Sequence, residues 1–137
     1  MTTLPIVTPT PPTILVVEDE KTLRQAMVDQ LRRKKYLTRE AKNGREGVSV
    51  ALSEHPDLIL LDLIMPEMDG MTALKTIRAD SWGAAVPVII LTNLSASDEH
   101  LVDDVVTHRP VHYLIKSDWK LHDVVDKIGS ILTAPRV

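Results

Sequence analysis

Four apolar residues in a row, Leu58, Ile59, Leu60 and Leu61, run directly into a lone aspartate, Asp62. An unbroken apolar run of this length, bounded by turn residues, is the pattern of a strand buried on both faces, as in a parallel sheet. A carboxylate at the C-terminal tip of such a strand stands where open α/β sheets place their ligands. A turn-rich stretch, Met65-Pro66-Glu67-Met68-Asp69-Gly70, separates it from the next amphipathic segment. A second apolar run, Ile14, Leu15, Val16 and Val17, ends in Glu18, Asp19 and Glu20. Two strand tips carrying carboxylates predict one acidic pocket at one edge of a sheet.

The rest of the chain supplies the sheet. Strands are expected at 14–17, 37–41, 58–61, 88–91 and 111–115. Helical spacing fills the gaps between them. Leu23, Ala26, Met27 and Leu31 form one apolar stripe, Met71, Leu74 and Ile77 a second, and Leu101, Val102, Val105 and Val106 a third. Ser95 with Asp98 resembles a capping box before that third stripe. Leu121, Val124, Val125, Ile128, Ile131 and Leu132 give the cleanest helical period. The stretch 44–52 is the weakest helix, because Gly47, Val48 and Val50 are mediocre helix formers. Alternation of this kind implies an α/β fold, a parallel sheet with helices on both faces.

A chain of 137 residues is long enough for one domain with a real core. Residues 1–12 read as a disordered proline-rich leader, 13–132 as the folded domain and 133–137 as a tail. The formal charge is −3, from 16 basic and 19 acidic residues. With no long basic run, this gives no electrostatic case for direct nucleic-acid binding. The absence of cysteine excludes disulfides and thiolate chemistry and suits a cytoplasmic home. No apolar stretch approaches membrane-spanning length, so no membrane partner is expected.

In such a sheet the tips of the first, third, fourth and fifth strands converge, carrying Glu18-Asp19, Asp62, Thr92 and Lys116. Carboxylates about 4 Å apart repel by about 4 kcal/mol per pair at an effective dielectric near 20. A hard divalent cation relieves this, and Mg²⁺ suits oxygen ligands. A shielded Asp62 carboxylate can then attack an electrophilic phosphorus. Lys116 can neutralise phosphoryl oxygens as a point charge, and Thr92 can donate a hydrogen bond to another.

From Thr13 to about Leu132 the chain resembles a receiver domain of the response regulators of two-component signalling. The resemblance rests on Val16-Val17-Glu18-Asp19, Leu60-Leu61-Asp62, the 65–70 loop, Val88-Ile89-Ile90-Leu91-Thr92 and Tyr113-Leu114-Ile115-Lys116, in that order and spacing. It implies a flavodoxin-like (βα)5 doubly wound fold, with a five-stranded parallel sheet in the order 2-1-3-4-5. It further implies that Asp62 is the phosphoacceptor, that Asp19 binds Mg²⁺ directly and that Glu18 acts mostly through water. The backbone carbonyl of Ile64 completes the metal set, Lys116 holds the phosphoryl group, and Thr92 and Tyr113 form a switch pair. A histidine kinase or phosphotransfer protein is the implied phosphodonor. The implied output is an altered surface on the fourth helix, fifth strand and fifth helix, which binds an unknown output protein or pairs two copies. Such a protein catalyses only its own phosphorylation and dephosphorylation.

The pattern also departs from the family. Ile64 places a bulky apolar side chain two residues after the phosphoacceptor, which predicts a longer-lived phosphoaspartate. Asn93 and Ser117 replace a small residue and a proline, and His108-Arg109-Pro110 replaces small residues. Glu18 and Asp19 have a blander reading, as caps for a helix starting near Lys21. His100, His108, His112 and His122 fit no metal spacing and read as surface residues. An aspartyl-phosphate phosphatase or transferase of the haloacid-dehalogenase kind would need a second acid where Ile64 stands. Two further readings are a phosphate-independent interaction module on the same fold and the receiver half of a longer regulator.

Overall fold

The computed structural model describes residues 10–62, 70–92, 112–115 and 120–133. Along the chain run β1 (Thr13–Val17), α1 (Lys21–Arg33), β2 (Leu37–Ala41), α2 (Gly44–Glu54), β3 (Leu58–Asp62), α3 (Gly70–Ala79), β4 (Val88–Thr92), β5 (His112–Ile115) and α4 (Leu121–Thr133). The last of these is the helix expected at the end of the chain. The stripe Leu101, Val102, Val105 and Val106, with Ser95 and Asp98, lies outside the described residues, as do Asn93, His108 and Ser117.

The five strands form one sheet in the order β2-β1-β3-β4-β5, and every neighbouring pair is parallel. This is the doubly wound order expected from the family resemblance. The central strands are apolar throughout because both faces are covered. Successive side chains of a strand point to opposite faces, and the core divides accordingly. Leu15, Val17, Ile59, Leu61, Val88 and Ile90 pack with Met71, Leu74 and Ile77 of α3 and Ala51 of α2. Ile14, Val16, Leu58, Leu60, Ile89 and Leu91 pack with Met27, Val28 and Leu31 of α1 and Val124, Val125 and Ile128 of α4. Fully burying a Leu, Ile or Val side chain contributes roughly 1.5–3 kcal/mol, so β3, buried along its whole length, anchors both halves.

Two helix starts are set by local chemistry. The backbone N–H of Glu46 donates to Asn43 Oδ1 at 2.8 Å, and this cap opens α2. The backbone N–H of Lys120 donates to Asp123 Oδ2 at 3.1 Å and opens α4. Gly47, a poor helix former, is needed for a packing reason. A Cβ there would stand 2.9 Å from both Cγ atoms of Val17, so only glycine lets α2 lie this close to β1.

The turn from α3 into β4 is held by Arg78, whose Nη1 donates to the carbonyls of Gly83 at 2.8 Å and Val86 at 2.7 Å. Burial lowers the pKa of this guanidinium from its ordinary value. A Cβ on Gly83 would meet the Ile77 carbonyl oxygen at 1.9 Å. Trp82 stacks on His55 with ring centroids 4.4 Å apart, and His122 is exposed beside Asp123. Among the described residues, no helix is long and apolar enough to cross a membrane.

Candidate functional site

Strand polarity decides which residues meet. Val17 of β1 pairs with Leu61 of β3, so the next residues, Glu18 and Asp62, stand at the same level at the C-terminal ends of the two strands. Glu18, Asp19 and Asp62 each bring a carboxylate oxygen to one point, and these oxygens all lie within 4.8 Å of one another. Glu18 is 1% exposed and Asp62 3%, while Asp19 is exposed. Asp62 pairs across the sheet with Leu91 of β4, which puts Thr92 one residue further along the adjacent strand. Thr92 in turn pairs with Ile115 of β5, and Tyr113 stands opposite Ile90. Ile64 and Lys116 lie outside the described residues.

Several residues fix this corner. The Glu18 N–H donates to the Ala41 carbonyl at 3.0 Å, extending the β1–β2 ladder past the strand end. Arg24 of α1 donates from Nη1 to the Glu18 carbonyl at 2.9 Å and pairs through Nε with Glu40 of β2 at 3.1 Å. Gly47 lets α2 press on Val17, the residue before Glu18. The N-cap of α1 is Glu20, whose side chain makes no capping hydrogen bond, and no acid lies in the first turn. Glu18 and Asp19 thus stand before the N-cap position of α1 rather than at it. Arg24 escaped sequence reasoning because it acts on a backbone carbonyl, and no spacing rule marks such a residue.

Two buried carboxylates and one exposed one at this separation repel. At an effective dielectric near 20, a pair 4.8 Å apart costs about 3 kcal/mol. The donor set is all oxygen and all anionic, which suits a hard divalent cation that keeps part of its water shell. It does not suit a soft metal, which favours sulfur or imidazole.

Comparison with known proteins agrees with this geometry. The family model of the response regulator receiver domain matches residues 14–128. A protein-glutamate methylesterase/protein-glutamine glutaminase of Archaeoglobus fulgidus is 38% identical over 112 residues, covering 81% of this chain and 31% of that protein. Protein PilH of Pseudomonas aeruginosa is 35% identical over 79 residues, covering 58% of this chain and 65% of PilH. The chain thus matches about a third of the first relative's length and just under two thirds of the second's. Among solved structures, the receiver domain of sensor histidine kinase PA1611 from Pseudomonas aeruginosa PAO1 superposes with a TM-score of 0.77 at 27% identity. The match covers 88% of this chain and 96% of that one, and that structure has a magnesium ion coordinated in its active-site cleft.

Proposed function

Because this chain belongs to the response regulator receiver domain family, we propose that it accepts a phosphoryl group on Asp62 and thereby switches a protein-docking surface. The observation that carries the reading is the convergence of Glu18, Asp19 and Asp62 at the C-terminal tips of β1 and β3. Asp62 is the nucleophile: its carboxylate oxygen bonds to phosphorus as the donor's P–N bond to histidine breaks, and the released imidazole takes up a proton. The donor is a phosphohistidine on a sensor kinase or phosphotransfer protein.

Asp19, Asp62 and, through water, Glu18 would hold Mg²⁺ together with the Ile64 backbone carbonyl. Bound there, the ion would offset the crowded negative charge and the charge on the phosphoryl oxygens. Arg24 holds the Glu18 backbone in place, and Gly47 holds α2 against β1, so the acids are positioned before any ligand arrives. Lys116 neutralises phosphoryl charge after transfer, and Thr92 donates a hydrogen bond to a phosphoryl oxygen. Movement of Thr92 biases Tyr113, and the two populations differ at the surface around β5 and α4. That surface docks an output protein or a second copy.

The test is intact-mass measurement after incubation with Mg²⁺ and acetyl phosphate, run beside Asp62→Ala. A phosphoryl adduct on the native chain alone is the expected result. No adduct, with beryllofluoride also failing to bind, would replace this reading with a phosphate-independent docking module.

A further inference from the structure

The strand ends opposite the acidic corner carry the reverse charge. Helix α1 finishes in Arg32 and Arg33, Lys34 and Lys35 follow, and all four are exposed. Lys35 adopts a left-handed φ of 71°, and the chain then enters β2. Arg32 Nε donates to Thr38 Oγ1 at 3.1 Å, tying the basic run to the start of that strand. Between them lies a groove of about 420 Å³ lined by Arg32, Tyr36, Leu37, Thr38, Arg39 and one acid, Glu54. Leu37, 47% exposed, is the one exposed large apolar side chain among the described residues.

The same strand is the outer one of the sheet. Among the described residues β2 pairs with β1 on one flank and with nothing on the other. An outer strand offers a row of backbone donors and acceptors to any extended chain beside it.

Local duties account for part of this charge. Arg32 and Arg33 complement the α1 dipole, and Arg39 pairs with Glu54 at 2.6 Å. Lys34 and Lys35 lie beyond the helix. Among the described residues no carboxylate stands within ion-pair distance of Arg33, Lys34 or Lys35.

We propose that this edge binds an extended acidic segment of a partner protein, which adds as a strand beside β2. Its backbone completes the open flank, an apolar side chain sits on Leu37 and Tyr36, and its carboxylates face Arg33, Lys34 and Lys35. The inference is independent of the phosphorylation reading.

Other occupants fit less well. The chain's own first twelve residues contain four prolines and no acid. A second copy pairing antiparallel about Arg39 would set Arg39 against Arg39 and Tyr36 against Lys42, without an acid to meet the basic run. An anionic lipid surface or a duplex would use the cations and leave the strand flank unused.

The test uses the full chain and a fluorescent, blocked heptapeptide of alternating glutamate and valine. Binding is followed by anisotropy and by backbone amide shifts. Amides across residues 32–41 should respond. Affinity should fall about tenfold or more in Arg33→Glu/Lys34→Glu/Lys35→Glu, because rim charges lose both attraction and steering. N-methylating alternate residues of the peptide should abolish binding to the native chain, since it removes the ladder donors. Absence of binding, equal binding of the N-methylated peptide, or tighter engagement of phosphatidylserine vesicles or duplex DNA would each overturn the proposal. A circular dichroism spectrum and urea-unfolding midpoint of the triple variant matching the native chain's show that a lost interaction is not lost folding.

Discussion

Replacing Asp62 with asparagine should make the protein more stable in the absence of divalent cations. The Asp62 carboxylate lies within 4.8 Å of a buried Glu18 oxygen and an exposed Asp19 oxygen. The buried pair costs about 3 kcal/mol at an effective dielectric near 20. The exposed partner is screened and adds up to about 1 kcal/mol. Against this, Asp62 has other polar interactions, and hydrogen bonds to a charged group are worth about 1.5–3 kcal/mol. An asparagine keeps the shape and part of that bonding. The net gain expected for Asp62→Asn is therefore about 1–2 kcal/mol. Urea unfolding of a domain this size has a slope of about 1–3 kcal/mol/M, so in EDTA the midpoint should rise by roughly 0.5–1 M. Magnesium should close most or all of this gap. At ten times its dissociation constant, an ion that binds only the native state adds about 1.4 kcal/mol. The native chain gains this and Asp62→Asn gains little. An Asp62→Asn midpoint in EDTA at or below the native one would refute the repulsion argument. An equal magnesium increment for both proteins would refute the assignment of the ion to this corner.

Three further outcomes are expected. Gly47→Ala puts a Cβ 2.9 Å from Val17, an overpacking cost of about 1–3 kcal/mol offset by about 1 kcal/mol of helix propensity. Adding Val17→Ala should recover at least about 1 kcal/mol relative to the sum of the single variants in an unfolding cycle, whereas strict additivity would deny the contact. Gly83→Ala forces a Cβ onto the Ile77 carbonyl and should cost about 3 kcal/mol or more; a melting temperature within error of native would show that the turn relaxes freely. Ile64→Asn should shorten the lifetime of the phosphorylated protein, on the expectation that a polar side chain two residues after Asp62 admits hydrolytic water more readily than a bulky apolar one. Equal decay of the two acid-quenched phosphoproteins would sink that idea.

What could be read in the sequence follows from what a strand displays along itself. The run Leu58 to Leu61 announces burial on both faces, and parallel pairing then forces the next residue, Asp62, to the same end as Glu18. The acidic corner is legible because strand polarity alone assembles it. Helix α2 is hard to read for the opposite reason. Gly47 lowers its propensity, and the compensating contact with Val17 joins residues thirty positions apart. Asn43 is legible as a cap only once the helix start is known. Arg24 is illegible because its target is a carbonyl oxygen, which every residue has.

The basic edge was hidden by the same logic that exposed the acidic one. Four cations in a net charge of −3 look like an ordinary helix end. They become a surface only when Lys35 turns the chain and the pairing of Thr13 with Leu37 leaves β2 as the outer strand. The result is a polar molecule, with buried acids at the C-terminal strand tips and exposed cations beside the start of β2. Phosphorylation at Asp62 would replace the single carboxylate charge with up to two on the phosphoryl oxygens, a net gain of about one negative charge at the first end. The basic edge lies near the opposite end of a sheet about five residues tall, or roughly 17 Å. That is about two Debye lengths at physiological salt. Direct Coulomb coupling across that distance is largely screened, so an acidic segment on β2 should bind the phosphorylated and unphosphorylated forms with affinities within about twofold. A larger difference at 0.15 M salt would show that the two ends communicate through the packing of α1, whose N-terminal turn holds Glu18 through Arg24 and whose C-terminus carries Arg32 and Arg33.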